Sequence, residues 1–267
     1  MPRVSEATSA ELAPGVIAVT QLVDLVRPLS WVEPDAVGFD PSNSYLIKSG
    51  QVATLIDTGV AAGGGSLLDR LGGLIAPATP LTVTLTRVEP DCLGNLLALA
   101  RRFHVVRVCS QSNVIPFDYI GPFSGEFPSV DIVNGLHPGD AVPVDRDRTL
   151  LVVEPAVRTL PTLWYFDAVS GTLFCSDFFG EDRPHVAGSL SGGDVDLATA
   201  RRHLLAKFDW LSVADTSAAL ARLDRVFDTL RVKAIAPGHG LWIRGEEAVR
   251  RRYETVREAL RTVSAES

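Results

Sequence analysis

Apolar residues recur along this chain at two spacings that take turns. Short apolar and β-branched runs at 16–20, 43–47 and 52–56 read as strands, the last two separated by a Ser49-Gly50 turn. Gly63-Gly64-Gly65 leads into 66–75, where Leu67, Leu68, Leu71 and Leu74/Ile75 repeat at helical spacing until Pro77 and Pro80 close the element. A strand at 81–85, a helix at 93–103 with apolar positions 93, 96, 97 and 100, and a strand at 104–109 follow. Strands resume at 149–153, 163–166 and 172–175, then helices at 195–208 and 216–230, a strand at 233–236 and a helix at 246–263. The stretch 111–131 carries Pro116, Gly121, Pro122, Gly125 and Pro128 and reads as a long excursion without regular structure, and 188–193 as a flexible connector. With no internal repeat and no low-complexity linker, one domain over 1–267 is expected.

Composition narrows the classes. The 267 residues are 46% hydrophobic, which excludes disorder, a collagen-like fibre and a disulfide scaffold. Lys and Arg number 25 against 32 Asp and Glu, a net charge of -7, so no general basic surface for nucleic acid is implied. Only Lys48, Lys207 and Lys233 are lysines. No apolar run approaches the roughly 20 residues that cross a bilayer, and the acidic N-terminal stretch is not a secretory signal. Cys92, Cys109 and Cys175 are odd in number and widely spaced, which suits a reducing compartment, so the expected location is cytoplasmic. The three consecutive glycines match neither a dinucleotide fingerprint nor a phosphate-binding loop.

Four segments put polar or ionisable residues just after an apolar strand, where side chains emerge at the rim of a sheet. They are Asp57-Thr58-Gly59; Thr86-Arg87-Val88-Glu89-Pro90-Asp91-Cys92-Leu93-Gly94; Cys175-Ser176-Asp177-Phe178-Phe179-Gly180; and Pro237-Gly238-His239-Gly240. In this order they resemble the metallo-β-lactamase superfamily. The second, third and fourth are closer to its flavodiiron branch, whose corresponding motifs read H-x-E-x-D-H, L-F-S-x-D-x-F-G and A-P-G-H-G. The resemblance covers roughly residues 14–245. It implies an α/β fold, a four-layer αβ/βα sandwich with the site at one edge of two sheets. It also implies a dinuclear iron site fed by an attached flavodoxin-like domain. With the sequence ending at Ser267, no such domain and no bound flavin are expected.

The departures from the family pattern bear most on function. Arg87 stands at the first His ligand, Cys92 at the His after Asp91, and counting back 19 residues from Asp177 puts Arg158 at a further His ligand. Guanidinium groups offer no lone pair and stay protonated. The resemblance thus leaves Asp91, Cys92, Asp177 and His239 as candidate metal ligands, holding at most one iron or zinc ion per chain or none. Arg87, Glu89 and Arg158 are the candidate catalytic residues. The competing reading is that Glu89, Asp91 and Asp177 pair with Arg87 and Arg158, which replace the lost cation. His239 is either a ligand or a hydrogen-bonded structural residue, and Cys92 either a ligand, a buried apolar residue or a reactive thiol. Asp57 is read as capping its loop, His185 as the one other histidine near the pocket, and Arg201-Arg202 and Arg250-Arg251-Arg252 as solvated helix faces. The expected function is a flavodiiron-like protein with a degenerate metal centre, acting as an atypical oxidoreductase or small-molecule-binding subunit. A mononuclear hydrolase or a metal-free binding protein is the alternative. The expected partners are a small-molecule ligand, a separate flavin reductase and a second copy of the chain, with neither nucleic acid nor membrane.

Overall fold

The computed structural model describes residues 4–26, 29, 32–33, 35–111, 129–181, 190 and 192–263. Most of the excursion at 111–131, part of the connector at 188–193, and His185 lie outside them. The first sheet has seven strands in chain order: β1 (Thr8–Ala13), β2 (Val16–Asp24), β3 (Phe39–Ser49), β4 (Val52–Ile56), β5 (Leu81–Thr84), β6 (Val105–Cys109) and β7 (Asp131–Val133). Its first four strands are antiparallel and the rest join in parallel. The second sheet has six strands: β8 (Ala141–Pro143), β9 (Thr149–Val153), β10 (Trp164–Asp167), β11 (Thr172–Phe174), β12 (Ala234–Ala236) and β13 (Ile243–Arg244). It is antiparallel except where β12 joins β11 in parallel.

Successive strand residues point to opposite faces, and that alternation builds the layers. Tyr45, Ile47 and Ile56 meet Leu150, Val152, Tyr165 and Phe174 in a core between the sheets. The intervening Leu46 and Leu55 face outward, onto Leu67, Leu68 and Leu71 of α1 (Gly64–Gly72) and Leu96 and Leu99 of α3 (Leu96–Arg102). Beyond the second sheet, Trp164, Phe166, Leu173 and Ile235 pack under α4 (Leu197–Lys207), α5 (Ser217–Thr229) and α6 (Glu246–Thr262). The result is the four-layer αβ/βα sandwich. Each sheet also anchors to the other's strand ends: the Tyr45 hydroxyl donates to Pro237 O at 2.6 Å and the Tyr165 hydroxyl to Leu85 O at 3.0 Å.

The structure departs from the sequence reading in places that matter for the site. β1, β7, β8 and β13 have no expected counterpart. The helix expected over 93–103 is two pieces, α2 (Pro90–Leu93) and α3, broken at Gly94-Asn95. A Cβ on Gly94 would lie 2.6 Å from Pro90 O and 2.8 Å from Gly59 O, so the loop after β4 packs directly on the break. Buried Asn95 fixes that loop by donating to Thr58 O at 2.7 Å and Val60 O at 3.0 Å. On α6, Arg252 is not solvated as expected. It falls on the stripe Val249, Val256, Ala259 and Leu260 and is buried there, paired with Glu181 at 3.1 Å, while Arg250 and Arg251 stay on the exposed face.

Candidate functional site

The four strand-end segments converge at one edge of the two sheets. Asp57, in the left-handed region at φ 55°, turns its carboxylate onto the neighbouring strand end, where it accepts from Thr86 N at 2.8 Å and Thr86 Oγ1 at 2.7 Å. Burial raises the Asp57 pKa to about 7 against the pull of those two bonds. The next residue, Arg87, crosses to the second sheet: it bridges to Thr162, and Leu163 N donates to Thr86 O at 2.8 Å. Two further loops complete the edge with their backbones touching. A Cβ on Gly240 would lie 2.4 Å from Gly180 O, so only glycine lets the loops after β11 and β12 meet there.

Arg87 is the hub. Its side chain is 4% exposed and its guanidinium reaches four acceptors. Nε donates to Glu89 Oε2 at 2.7 Å, Nη1 donates to Ser176 Oγ at 2.6 Å and lies 2.8 Å from Asp177 Oδ1, and Nη2 pairs with Asp91 Oδ2. His239 closes the cluster from the other side. Its Nδ1 sits 2.9 Å from Asp40 Oδ2, and its Nε2 sits 2.8 Å from Asp91 Oδ2 and 3.9 Å from Asp177 Oδ1. Lys207, the last residue of α4, puts Nζ 3.4 Å from Asp177 Oδ1.

The electrostatics follow from this packing. Burial disfavours the charged His239 ring, but Asp40 and Asp91 outweigh it and raise the pKa to about 8. Burial would also raise the Asp177 carboxyl, yet Arg87, then Lys207 and His239, hold it well below the usual range. Asp91 is lowered against its own desolvation by Arg87 and His239. Three cations therefore stand among four carboxylates.

The expected residues do not all meet. Asp91, Asp177 and His239 bring one ligand atom each within 4.8 Å of one another. Cys92, adjacent to Asp91, instead turns Sγ toward Thr86 Oγ1 at 3.7 Å, and burial pushes its thiol well above the ordinary range. Arg158 does not pair with Glu89 or Asp177 as expected. It is exposed at the rim of the cavity beside the cluster, where Nη1 donates to Gln111 Oε1 at 3.4 Å. The second cation on Asp177 is Lys207, which sequence reasoning missed, together with Asp40 and Ser176. Asp40, buried at the start of β3, had one signal: an acid three residues ahead of the Asn43-Ser44-Tyr45-Leu46-Ile47 strand.

No family model matches the chain. It is 26% identical over 266 residues to diflavin flavoprotein A 3 of Nostoc sp., covering 96% of this chain and 44% of that relative. The fragment 1–254 of diflavin flavoprotein A 5 from Nostoc sp. superposes with a TM-score of 0.74 at 17% identity, covering 98% of both chains. The metal-soaked Flv1 flavodiiron core from Synechocystis sp. superposes with a TM-score of 0.72 at 15% identity, covering 96% of this chain and 61% of that one. The chain thus resembles the diflavin flavoproteins in sequence and the flavodiiron cores in fold. It spans less than half the length of the curated relatives it matches.

The flavodiiron relationship implies two metal ions at this edge, and the side chains present do not fit them. The Arg87 guanidinium already lies among Glu89, Asp91 and Asp177, so a dication there would sit against a fixed positive charge. Both His239 nitrogens face carboxylate oxygens at hydrogen-bond distance, and a ring that donates from both has no lone pair left for a metal. Asp91 Oδ2 is shared by Arg87 and His239, and Asp177 Oδ1 by Arg87 and Lys207.

Proposed function

We propose that this chain is a flavodiiron-type core whose dinuclear metal centre has been exchanged for an internal ion-pair cluster, and that it serves as a small-molecule-binding subunit. The observation that carries the reading is the Arg87 guanidinium: a buried, permanently charged group in contact with Glu89, Asp91, Ser176 and Asp177. Three convergent carboxylates without a counter-charge would be costly to bury, and the guanidinium supplies that charge with hydrogen bonds a metal would otherwise replace. Arg87, Glu89, Asp91, Asp177 and His239 then hold the edge of the sandwich together, while Arg158 and Lys207 face the adjoining cavity.

Thermal melting in the presence of Fe²⁺ or Zn²⁺ tests this. A ligand that binds only the folded state raises the melting temperature by mass action, so the cluster reading expects no shift at metal concentrations well above those of the protein. A saturable rise would favour a mononuclear site on Asp91, Asp177 and His239, whose ligand atoms are close enough to share one ion. On this reading the cluster reduces neither O₂ nor NO, so a separate flavin reductase supplied with NAD(P)H should elicit no O₂ uptake.

A further inference from the structure

We propose that the cavity beside the ion-pair cluster binds a small organic monocarboxylate, its carboxylate on Lys207 Nζ and the Arg158 guanidinium and its apolar body against Trp164, Phe178 and Phe208. The inference deepens the small-molecule-binding reading and rests on it.

The cavity has a volume of about 340 Å³, at the small end of the range for ligand pockets. Two cations from different elements line it. The Lys207 side chain is 4% exposed, yet among the described residues Nζ makes no hydrogen bond and its ionic contact is Asp177 Oδ1 at 3.4 Å. An ammonium carries three N–H donors, and leaving them without acceptors in a buried position is costly. Among the described residues Arg158, at the rim, makes one hydrogen bond, to Gln111 at 3.4 Å, which leaves most of its five donors uncommitted there. Arg87, by contrast, is fully engaged by the cluster and offers an incoming ligand little.

The surroundings select the ligand's charge and shape. Lys207 ends α4, whose C-terminal carbonyls carry partial negative charge, and Asp177 and Glu89 also line the cavity. These negative groups offset part of the Lys207 and Arg158 charge, so the site favours a monoanionic carboxylate over a phosphate dianion. The apolar part of the lining includes three aromatic rings, with Thr159, Thr162 and Ser176 interspersed: Trp164 and Phe178 have ring centroids 5.3 Å apart, and Phe178 and Phe208 6.4 Å apart. Such walls hold an aromatic ring or a short aliphatic chain by burial.

The test is isothermal titration of the full chain, after EDTA treatment and metal assay, with benzoate, hexanoate, benzamide and phenyl phosphate. The expected result is saturable one-site binding of benzoate or hexanoate, with benzamide and phenyl phosphate each at least tenfold weaker. Lys207→Met and Arg158→Ala should each weaken the carboxylate at least tenfold. Arg158 is exposed, so its variant keeps the test valid if Lys207→Met fails to fold. Benzamide binding as tightly as benzoate, phenyl phosphate binding more tightly, or no binding of either carboxylate to the metal-free protein would each overturn the inference while leaving the cluster reading intact. Carboxylate binding that EDTA abolishes and added Zn²⁺ restores would overturn both.

Discussion

Arg87 and Asp177 stand 90 positions apart in sequence, on the strand-end loops of different sheets, with Nη1 and Oδ1 2.8 Å apart. The contact ties the two halves of the sandwich together where the flavodiiron relationship implies a metal ion. On the proposed reading it also makes the stability of this edge depend on side chains rather than on a bound ion.

Removing that hub should be severe. Arg87→Met leaves Asp91 and Asp177 buried with only Lys207 and His239 to compensate them, and breaking a buried pair in this way costs about 3–5 kcal/mol. Arg158→Ala, at the exposed rim with a long 3.4 Å contact to Gln111, should stay within about 0.5 kcal/mol of wild type. Urea denaturation of the two variants checks the contrast. Equal losses in both would mean that Arg158 shares the burden after all.

Stability should fall on the alkaline side for a specific reason. His239 is raised from 6.5 to about 8, so its pairing with Asp40 and Asp91 contributes stability that is complete below pH 6.5 and lost as pH rises through 8. The change is on the order of 2 kcal/mol. Asp57, raised from 3.8 to about 7, acts in the same direction at lower pH, since its buried carboxylate must ionise in the folded state. Asp177 acts oppositely: held below 3.8, it contributes stability present above that pH and lost in acid. Comparing the pH dependence of wild type with that of His239→Gln isolates the histidine, and an unchanged alkaline limb in the variant would contradict its assignment.

Gly240→Ala should be far worse than a methyl group suggests. Position 240 has φ 82°, and its Cβ would lie 2.4 Å from Gly180 O. Backbone strain of this kind costs roughly 1–3 kcal/mol before the clash is relieved by shifting one of the two loops. Because His239 is the preceding residue, its ring resonances in the folded protein should move as well. A variant with wild-type stability and unshifted His239 resonances would show that the loops do not meet as described.

Much of this arrangement was legible in the chain. Leu67, Leu68 and Leu71 mark α1 because a helix repeats every 3.6 residues, and the four polar strand ends mark one edge of the sheets because strand ends of a layered fold gather there. What was hidden depends on contacts distant in sequence. The break at Gly94-Asn95 exists because Thr58 and Val60 supply acceptors from another loop. Lys207 reaches Asp177 only because α4 packs across β10 and β11, which no local pattern encodes. Counting from Asp177 placed the Arg158 backbone beside the cavity but said nothing of where its side chain would turn. Arg252 read as solvated because it sits in a run of three arginines, although its spacing from Val249 and Val256 puts it on the buried stripe.

The central claim is that fixed side-chain charge has taken the place of metal at this edge. Elemental analysis of the purified full chain, produced with iron and zinc in excess, tests it most directly. The account predicts well below one equivalent of either metal per chain, unchanged by EDTA. Two equivalents of iron with an exchange-coupled spectrum, or one tightly held equivalent of iron or zinc lost in His239→Gln, would contradict it.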